Sequence, residues 1–422
     1  MTSTPGLARR LGTGDAVVVG LGSMIGAGVF SAFAPAAAAA GSGLLIGLAL
    51  AAGVAYCNAV ASAQLAAQYP TSGGTYVYGR ERLGEWWGFL AGWGFVIGKT
   101  ASCAAMALTV AVYAVPDREW LQRLVAVGAV LALTAVNLRG ITRTARLARV
   151  LVAGSMAALA VVVAAILASG AGDAANLSPG DLRGSAYGIL QSAGLLFFAF
   201  AGYARIATLG EEVRDPRRTI PRAIPLALGI TVAIYAIVGA AALLAVGPDA
   251  LAASATPLAT AVEGVGAAWA EPIVRLGAVV ASLGALLALI AGVGRTTLAM
   301  ARNGDLPGTL ASIHPRSHVP DHAELAVAAA VTVLVLTTDL RGAIGFSSFG
   351  VLTYYAIANA SAWTQDREWR RWPRTLNALG LAGCLVLVAT LPVSAVAVGI
   401  AVLAAGLGWR LALLRRSAAA SA

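Results

Sequence analysis

The chain runs again and again for about twenty residues with almost no charge, and that recurrence restricts its fold more than any single motif. A helix needs about 20 mostly apolar residues to cross the hydrocarbon of a bilayer. Twelve stretches meet that demand, at 14–38, 43–69, 86–115, 120–138, 147–169, 185–209, 223–247, 271–300, 323–338, 343–364, 376–391 and 393–412. Of the 422 residues, 59% are apolar and 11% charged. A soluble domain carries roughly 45–50% and about 25%, and its surface must be covered by polar groups. A soluble enzyme, a disordered chain and a nucleic-acid binder are thereby excluded. An all-α integral membrane protein is expected, with lipid around most of it. The first stretch follows Arg9 and Arg10 as a secretion signal would. Its length and its eleven successors argue for a retained span.

The net charge of +10 is then a question of position. With the N-terminus inside, 22 of the 29 basic residues fall on the inner side and five on the outer side, namely Arg118, Arg123, Arg183, Arg275 and Arg341. Lys99 and Arg205 remain inside spans. This positive-inside asymmetry predicts both termini in the cytoplasm of a cell-membrane protein. The longest polar stretch, about 302–322, is too short for a separate domain. Gly98-Lys99-Thr100 ends like a phosphate-binding loop, but Trp93 stands where that loop needs its first glycine. Cys57, Cys103 and Cys384 fall inside spans and read as small hydrophobes. His314, His318 and His322 are spaced by four, yet Pro315 and Pro320 interrupt any helix that would align them for a metal. They read as loop residues.

The first span contains Gly20-Leu21-Gly22-Ser23-Met24-Ile25-Gly26-Ala27-Gly28-Val29-Phe30. Glycine weakens a helix interior by roughly 1 kcal/mol relative to alanine. Two readings remain open from spacing alone. Gly22 and Gly26, four apart, suit close helix packing. Alternatively the segment is unwound, and its freed N–H groups meet an anionic group. The sixth span has a matching interruption: an aromatic cluster Phe197, Phe198 and Phe200, then Gly202, then Arg205. Corresponding interruptions in two halves point to an inverted repeat with a central site.

The motifs Gly-Ser-Met-Ile-Gly-Ala-Gly-Val-Phe at 22–30, Tyr-Pro-Thr-Ser-Gly-Gly-Thr-Tyr at 69–76, Glu-Glu-Val-Arg-Asp-Pro-Arg-Arg-Thr-Ile-Pro-Arg at 211–222 and Met-Ala-Arg-Asn-Gly-Asp-Leu-Pro at 300–307 occur in order along the chain. Together they resemble the amino acid–polyamine–organocation transporters. The resemblance covers nearly the whole chain. It implies a single transporter domain with a five-plus-five inverted repeat, spans 1–5 over 14–169 and spans 6–10 over 185–364, and two peripheral helices over 376–412. It implies broken helices 1 and 6 with an amino acid between them. The backbone around Ile25, Gly26, Ala27 and Gly28 would hold the α-carboxylate. Carbonyls near Ser23, Met24, Phe198, Ala199 and Ala201 would take the α-ammonium, Gly202 opens the second interruption, and Phe198 stands where such transporters place an aromatic lid. Phe197 and Phe200 lie on other faces and read as packing residues.

Lys99 is the only lysine, and it lies within span three. A charge at the bilayer centre costs at least about 2.5–3.5 kcal/mol on insertion scales. Three roles are open: bordering the substrate pocket, exchanging a proton during transport, or satisfying carbonyls at a helix break. Proton-coupled relatives carry a lysine in span five, whereas span five here has no ionisable residue. Sodium coupling through hydroxyls such as Thr296 and Thr297 stays open beside proton coupling. Arg205 either pairs with the substrate or with Glu211 and Glu212, or it reaches for the inner interface.

The expectation is a secondary active amino acid permease without a catalytic residue, metal or organic cofactor, driven by H+, Na+ or exchange. With no acidic residue at the site, neutral and modestly apolar substrates are expected, and Lys99 leaves acidic ones open. A channel and a transport-inactive sensor of the same fold are the rivals. A membrane-embedded enzyme would need a cluster of reactive side chains at mid-span, and the sequence has none.

Overall fold

The computed structural model describes residues 11–71, 73–116, 118–140, 144–178, 186–209 and 213–421, the side chains of 144–148 and 416–421 excepted. Arg9, Arg10, Ser72, Arg183, Glu211 and Glu212, singled out above, lie outside the described residues.

Helices follow one another along the chain. The first are α1 (Thr13–Met24), α2 (Ala27–Ser31), α3 (Phe33–Ala40), α4 (Leu44–Gln68), α5 (Thr75–Leu83) and α6 (Glu85–Ala114). Then come α7 (Glu119–Leu138), α8 (Thr144–Ser169), α9 (Ala186–Phe200), α10 (Ala204–Ala207), α11 (Pro216–Ala253) and α12 (Pro257–Gly264). The last are α13 (Glu271–Arg302), α14 (Asp321–Thr337), α15 (Leu340–Trp363), α16 (Arg374–Thr390) and α17 (Val393–Ser421). Each of the twelve apolar stretches expected from sequence is occupied by helix. Among the described residues, β structure is confined to an isolated pairing of Leu11 with Val213.

Nine stretches are long and apolar enough to cross a membrane, by length and composition among the described residues. α14 and α16 are shorter, at 17 residues each. α15 has the length but is diluted by Ser347, Ser348, Asn359 and Ser361, all buried. Its polar groups face protein, so it does not need the apolar coat of a lipid-facing helix.

α6 is the central helix: 89% of its most apolar window is buried, against 17% for α7 and for α17. It packs on α13 and α15. Gly98 and Gly350 bring α6 and α15 together backbone to backbone, since a Cβ on Gly350 would lie 2.6 Å from the Gly98 Cα. Small residues permit such approach where lipid gives no hydrophobic drive to association.

The far ends of these helices carry an ionic cluster. Asp305, just after α13, accepts from Arg80 Nη1 at 3.1 Å and from the Tyr76 hydroxyl at 2.7 Å, and it is paired with Arg410 of α17. Arg410 also reaches Glu85 at 3.3 Å and lies over the Trp86 and Phe89 rings. Asp305 and Arg410 are both buried. Burial and the neighbouring carboxylate hold the Tyr76 phenol above its ordinary range. At the start of α5, Gly74 takes φ +56°, which glycine tolerates. The turn lets the Thr75 N–H donate to the Tyr354 hydroxyl at 3.0 Å.

Candidate functional site

α1 ends at Met24 and α2 begins at Ala27, so the glycine-rich segment does unwind in the first span. At the break the Ile25 N–H still reaches Leu21 O, at 2.7 Å, and the Gly26 N–H turns back to Met24 O, at 2.9 Å. The close approach expected at Gly22 and Gly26 is present but to two different helices, since a Cβ on Gly22 would stand 2.7 Å from Val152 Cγ2 of α8. A Cβ on Gly26 would stand 2.8 Å from the Ala285 Cβ, and one on Gly28 would stand 2.6 Å from the Ala199 Cα. Glycine here lets α13 and α9 touch the interrupted backbone.

The sixth span differs from expectation. α9 passes through a 3-10 turn, Ala201–Tyr203, directly into α10, with no extended gap. It is tightened, not unwound. The reason lies at Gly202, where a Cβ would overlap the Ser23 carbonyl. The glycine serves a contact between the two interruptions and not a conformation of its own.

Side chains from outside both interruptions hold them together. The Tyr235 hydroxyl of α11 lies 2.6 Å from Met24 O and 3.1 Å from Ala199 O. Lys99 Nζ donates to Ala201 O at 3.0 Å, and the Tyr355 hydroxyl approaches the same oxygen at 3.4 Å. Lys99 therefore does satisfy a carbonyl at the tightened turn. Tyr355 is stacked on Tyr203 and meets Phe197 edge-on, while Phe200 packs on Tyr235. Phe197 and Phe200 are packing residues, as their faces imply. A tyrosine that is buried needs a partner for its O–H, and Tyr235 and Tyr355 find theirs in backbone carbonyls of the two interruptions.

Around this junction lies a cavity of about 870 Å³, its open mouth included. Ser23, Met24, Gly26, Ala27, Gly28, Phe198, Ala199, Ala201 and Gly202 line it, as do Lys99 and Arg205. Ile25 does not: its side chain is buried in the core. Phe95 and Ser102 of α6 and Arg295 and Thr296 of α13 complete the wall and were not singled out as site residues, Thr296 apart. Arg205 donates to Thr208 Oγ1 at 3.1 Å. Its expected partners Glu211 and Glu212 lie outside the described residues. The Thr297 hydroxyl is buried without a hydrogen-bond partner among the described residues. Cys57, Cys103 and Cys384 are buried free thiols. His314, His318 and His322 fall in and just after the loop before α14, where His314 Nδ1 meets the Ser317 hydroxyl at 3.0 Å.

The sequence model of the amino acid permease family matches residues 11–406. The chain belongs to this family. It is a multi-pass membrane transporter of the amino acid permease type. An uncharacterized transporter of Mycobacterium tuberculosis is 61% identical over 414 residues, spanning 97% of this chain and 93% of that protein. A branched-chain amino acid permease of Bacillus subtilis is 28% identical over 74% of this chain and 71% of its own. The human cationic amino acid transporter 4 is 28% identical over 85% of this chain and 60% of its own.

Proposed function

We propose that this permease carries an α-amino acid across the cytoplasmic membrane by alternating access around the junction of the first and sixth spans, both termini being cytoplasmic. The observation that carries the reading is the single cavity that both interrupted spans line. The Ile25 and Gly26 N–H groups are taken by Leu21 O and Met24 O, so the opening turn of α2 at Ala27 and Gly28 is the part of the break offered to a carboxylate, and the carbonyls of Met24, Ala199 and Ala201, which accept from Tyr235 and Lys99, offer their second lone pairs to an ammonium group. Ser23, Gly26, Ala27, Gly28, Phe198 and Gly202 complete the proposed binding surface. No aspartate or glutamate lines the cavity among the described residues, which favours substrates without a positively charged side chain. The named substrates of the relatives, branched-chain in one and cationic in another, make the side chain a matter for experiment.

The reading requires no cofactor. A proton or sodium gradient, or exchange against an internal amino acid, supplies the driving force, and imposing each alone on proteoliposomes separates them. Saturable uptake with counterflow is expected from the purified protein. Gly28→Leu is expected to abolish it while the protein remains in the membrane, because the side chain would enter the Ala199 backbone. Unaltered uptake by that variant would overturn the site. Conductive flux without saturation would mean a channel, and substrate binding without flux a sensor.

A further inference from the structure

We propose that the cavity selects an amino acid bearing a second carboxylate on its side chain, and that Lys99 is the residue that recognises it. The inference rests on the reading above that the cavity holds an α-amino acid. Lys99 is 5% exposed, at the heart of the most enclosed helix. Its hydrogen bond goes to a neutral acceptor, the Ala201 carbonyl. No carboxylate forms an ion pair with it among the described residues.

The chain treats its other deeply buried cation differently. Arg410, 4% exposed, is paired with Asp305 and Glu85. Buried charges are as a rule paired or neutralised, so Lys99 departs from a pattern that the same molecule keeps elsewhere. It departs where a ligand is able to supply the missing charge, since Lys99 lines the cavity. Among the described residues no acidic side chain lines the wall, and Arg295 adds a further basic group to it. A cationic amino acid would meet like charge. A neutral one would leave Lys99 uncompensated. A side-chain carboxylate supplies the absent counter-ion, and the interrupted backbone remains for the α-groups.

The test uses the full-length protein, first unmodified. Thermal shifts in detergent and uptake into proteoliposomes are measured with L-aspartate, L-glutamate, L-asparagine, L-glutamine, L-leucine and L-lysine. L-aspartate or L-glutamate is expected to stabilise the protein and to be taken up at least about tenfold better than its own amide, the scale of a lost charged hydrogen bond. Lys99→Met is expected to erase that preference, and Lys99→Arg to keep it. Should Lys99→Met fail to fold, the wild-type preference alone decides. Wild-type uptake of a neutral or cationic amino acid at least as good as of both acids overturns the inference and leaves the amino acid reading standing. Failure of all six to bind or move overturns that reading and the inference with it.

Discussion

Tyr235 closes two carbonyls with one hydroxyl, Met24 O from the first span and Ala199 O from the sixth. Removing that hydroxyl leaves the Ala199 oxygen short of a partner in the interior, at a cost of about 1–3 kcal/mol. Tyr235→Phe is therefore expected to lower the unfolding temperature and to weaken substrate binding, read by thermal shift and uptake; if both stay at wild-type values, the bridge has no role. Gly202 makes a sharper case. Alanine there would push its Cβ into the Ser23 carbonyl, whereas a Cβ at Gly229 of α11 meets nothing within 4 Å. Gly202→Ala is expected to lose uptake and Gly229→Ala to keep it, and equal activity in the two would show that the junction yields. At this scale the sequence is an uneven guide. Lys99 stands out because a lone lysine in an apolar span is costly wherever it points. Tyr235 and Tyr355 do not, because a tyrosine in an apolar span looks the same whether its hydroxyl meets a carbonyl or the headgroup region.

Among elements, the two glycine-rich interruptions were legible as places but not as shapes. Glycine signals both unwinding and close approach, and only the partner surface decides between them. The Ala285 and Ala199 contacts coincide with a true break at 25–26, while the Ser23 contact needs only a tightened turn at 201–203. The ionic cluster was not legible at all. Arg80 and Arg410 read as topology charges and Glu85 as a carboxylate at a span end, since nothing in their spacing says that α5, α6 and α17 meet at Asp305. Its energetics divide by burial. Asp305 has two arginine partners and a side chain only 5% exposed, so Asp305→Asn leaves the buried Arg410 guanidinium with only the exposed Glu85 as counter-ion and is expected to cost about 3 kcal/mol. The Glu85 side chain is 67% exposed, and Glu85→Gln is expected to stay within about 1 kcal/mol. Thermal or denaturant unfolding of the two variants checks the contrast; equal losses would mean that burial does not govern the cluster. Tyr76 adds a pH signature. Its phenol is held protonated in the fold beyond the ordinary value of about 10. Below that pH both states carry the proton and its contribution is full. Above it the unfolded chain loses the proton first, so stability falls as pH rises. The stability gap between wild type and Tyr76→Phe is expected to be constant from about pH 6 to 9 and to narrow above about 10.

For the molecule as a whole, the twelve apolar stretches and the family were open to sequence reasoning, because helix length and charge asymmetry are set by the bilayer itself. Which way the cavity faces is a property of packing. Thr208, Arg295 and Thr296 line its wall, and Arg295 is exposed at the rim. These residues adjoin the arginine-rich segments at 214–222 and 302, the end that the positive-inside rule assigns to the cytoplasm. Toward the other end, the Tyr113 hydroxyl donates to Phe30 O at 2.8 Å, and Arg275 donates to Tyr113 O at 3.4 Å. Phe30 and Tyr113 are both buried and meet edge to face. Under the proposed orientation this is the arrangement expected of a carrier open inward and sealed outward. A cysteine at Thr296 is expected to react with a membrane-impermeant maleimide in inside-out vesicles, to be protected by a bound substrate, and to react little in right-side-out ones. The parent is a clean background, since Cys57, Cys103 and Cys384 are buried. Labelling only from the outer face would reverse the orientation. Equal labelling from both faces, even with substrate present, would mean that the Phe30–Tyr113 seal does not close the path and would turn the reading from carrier to pore.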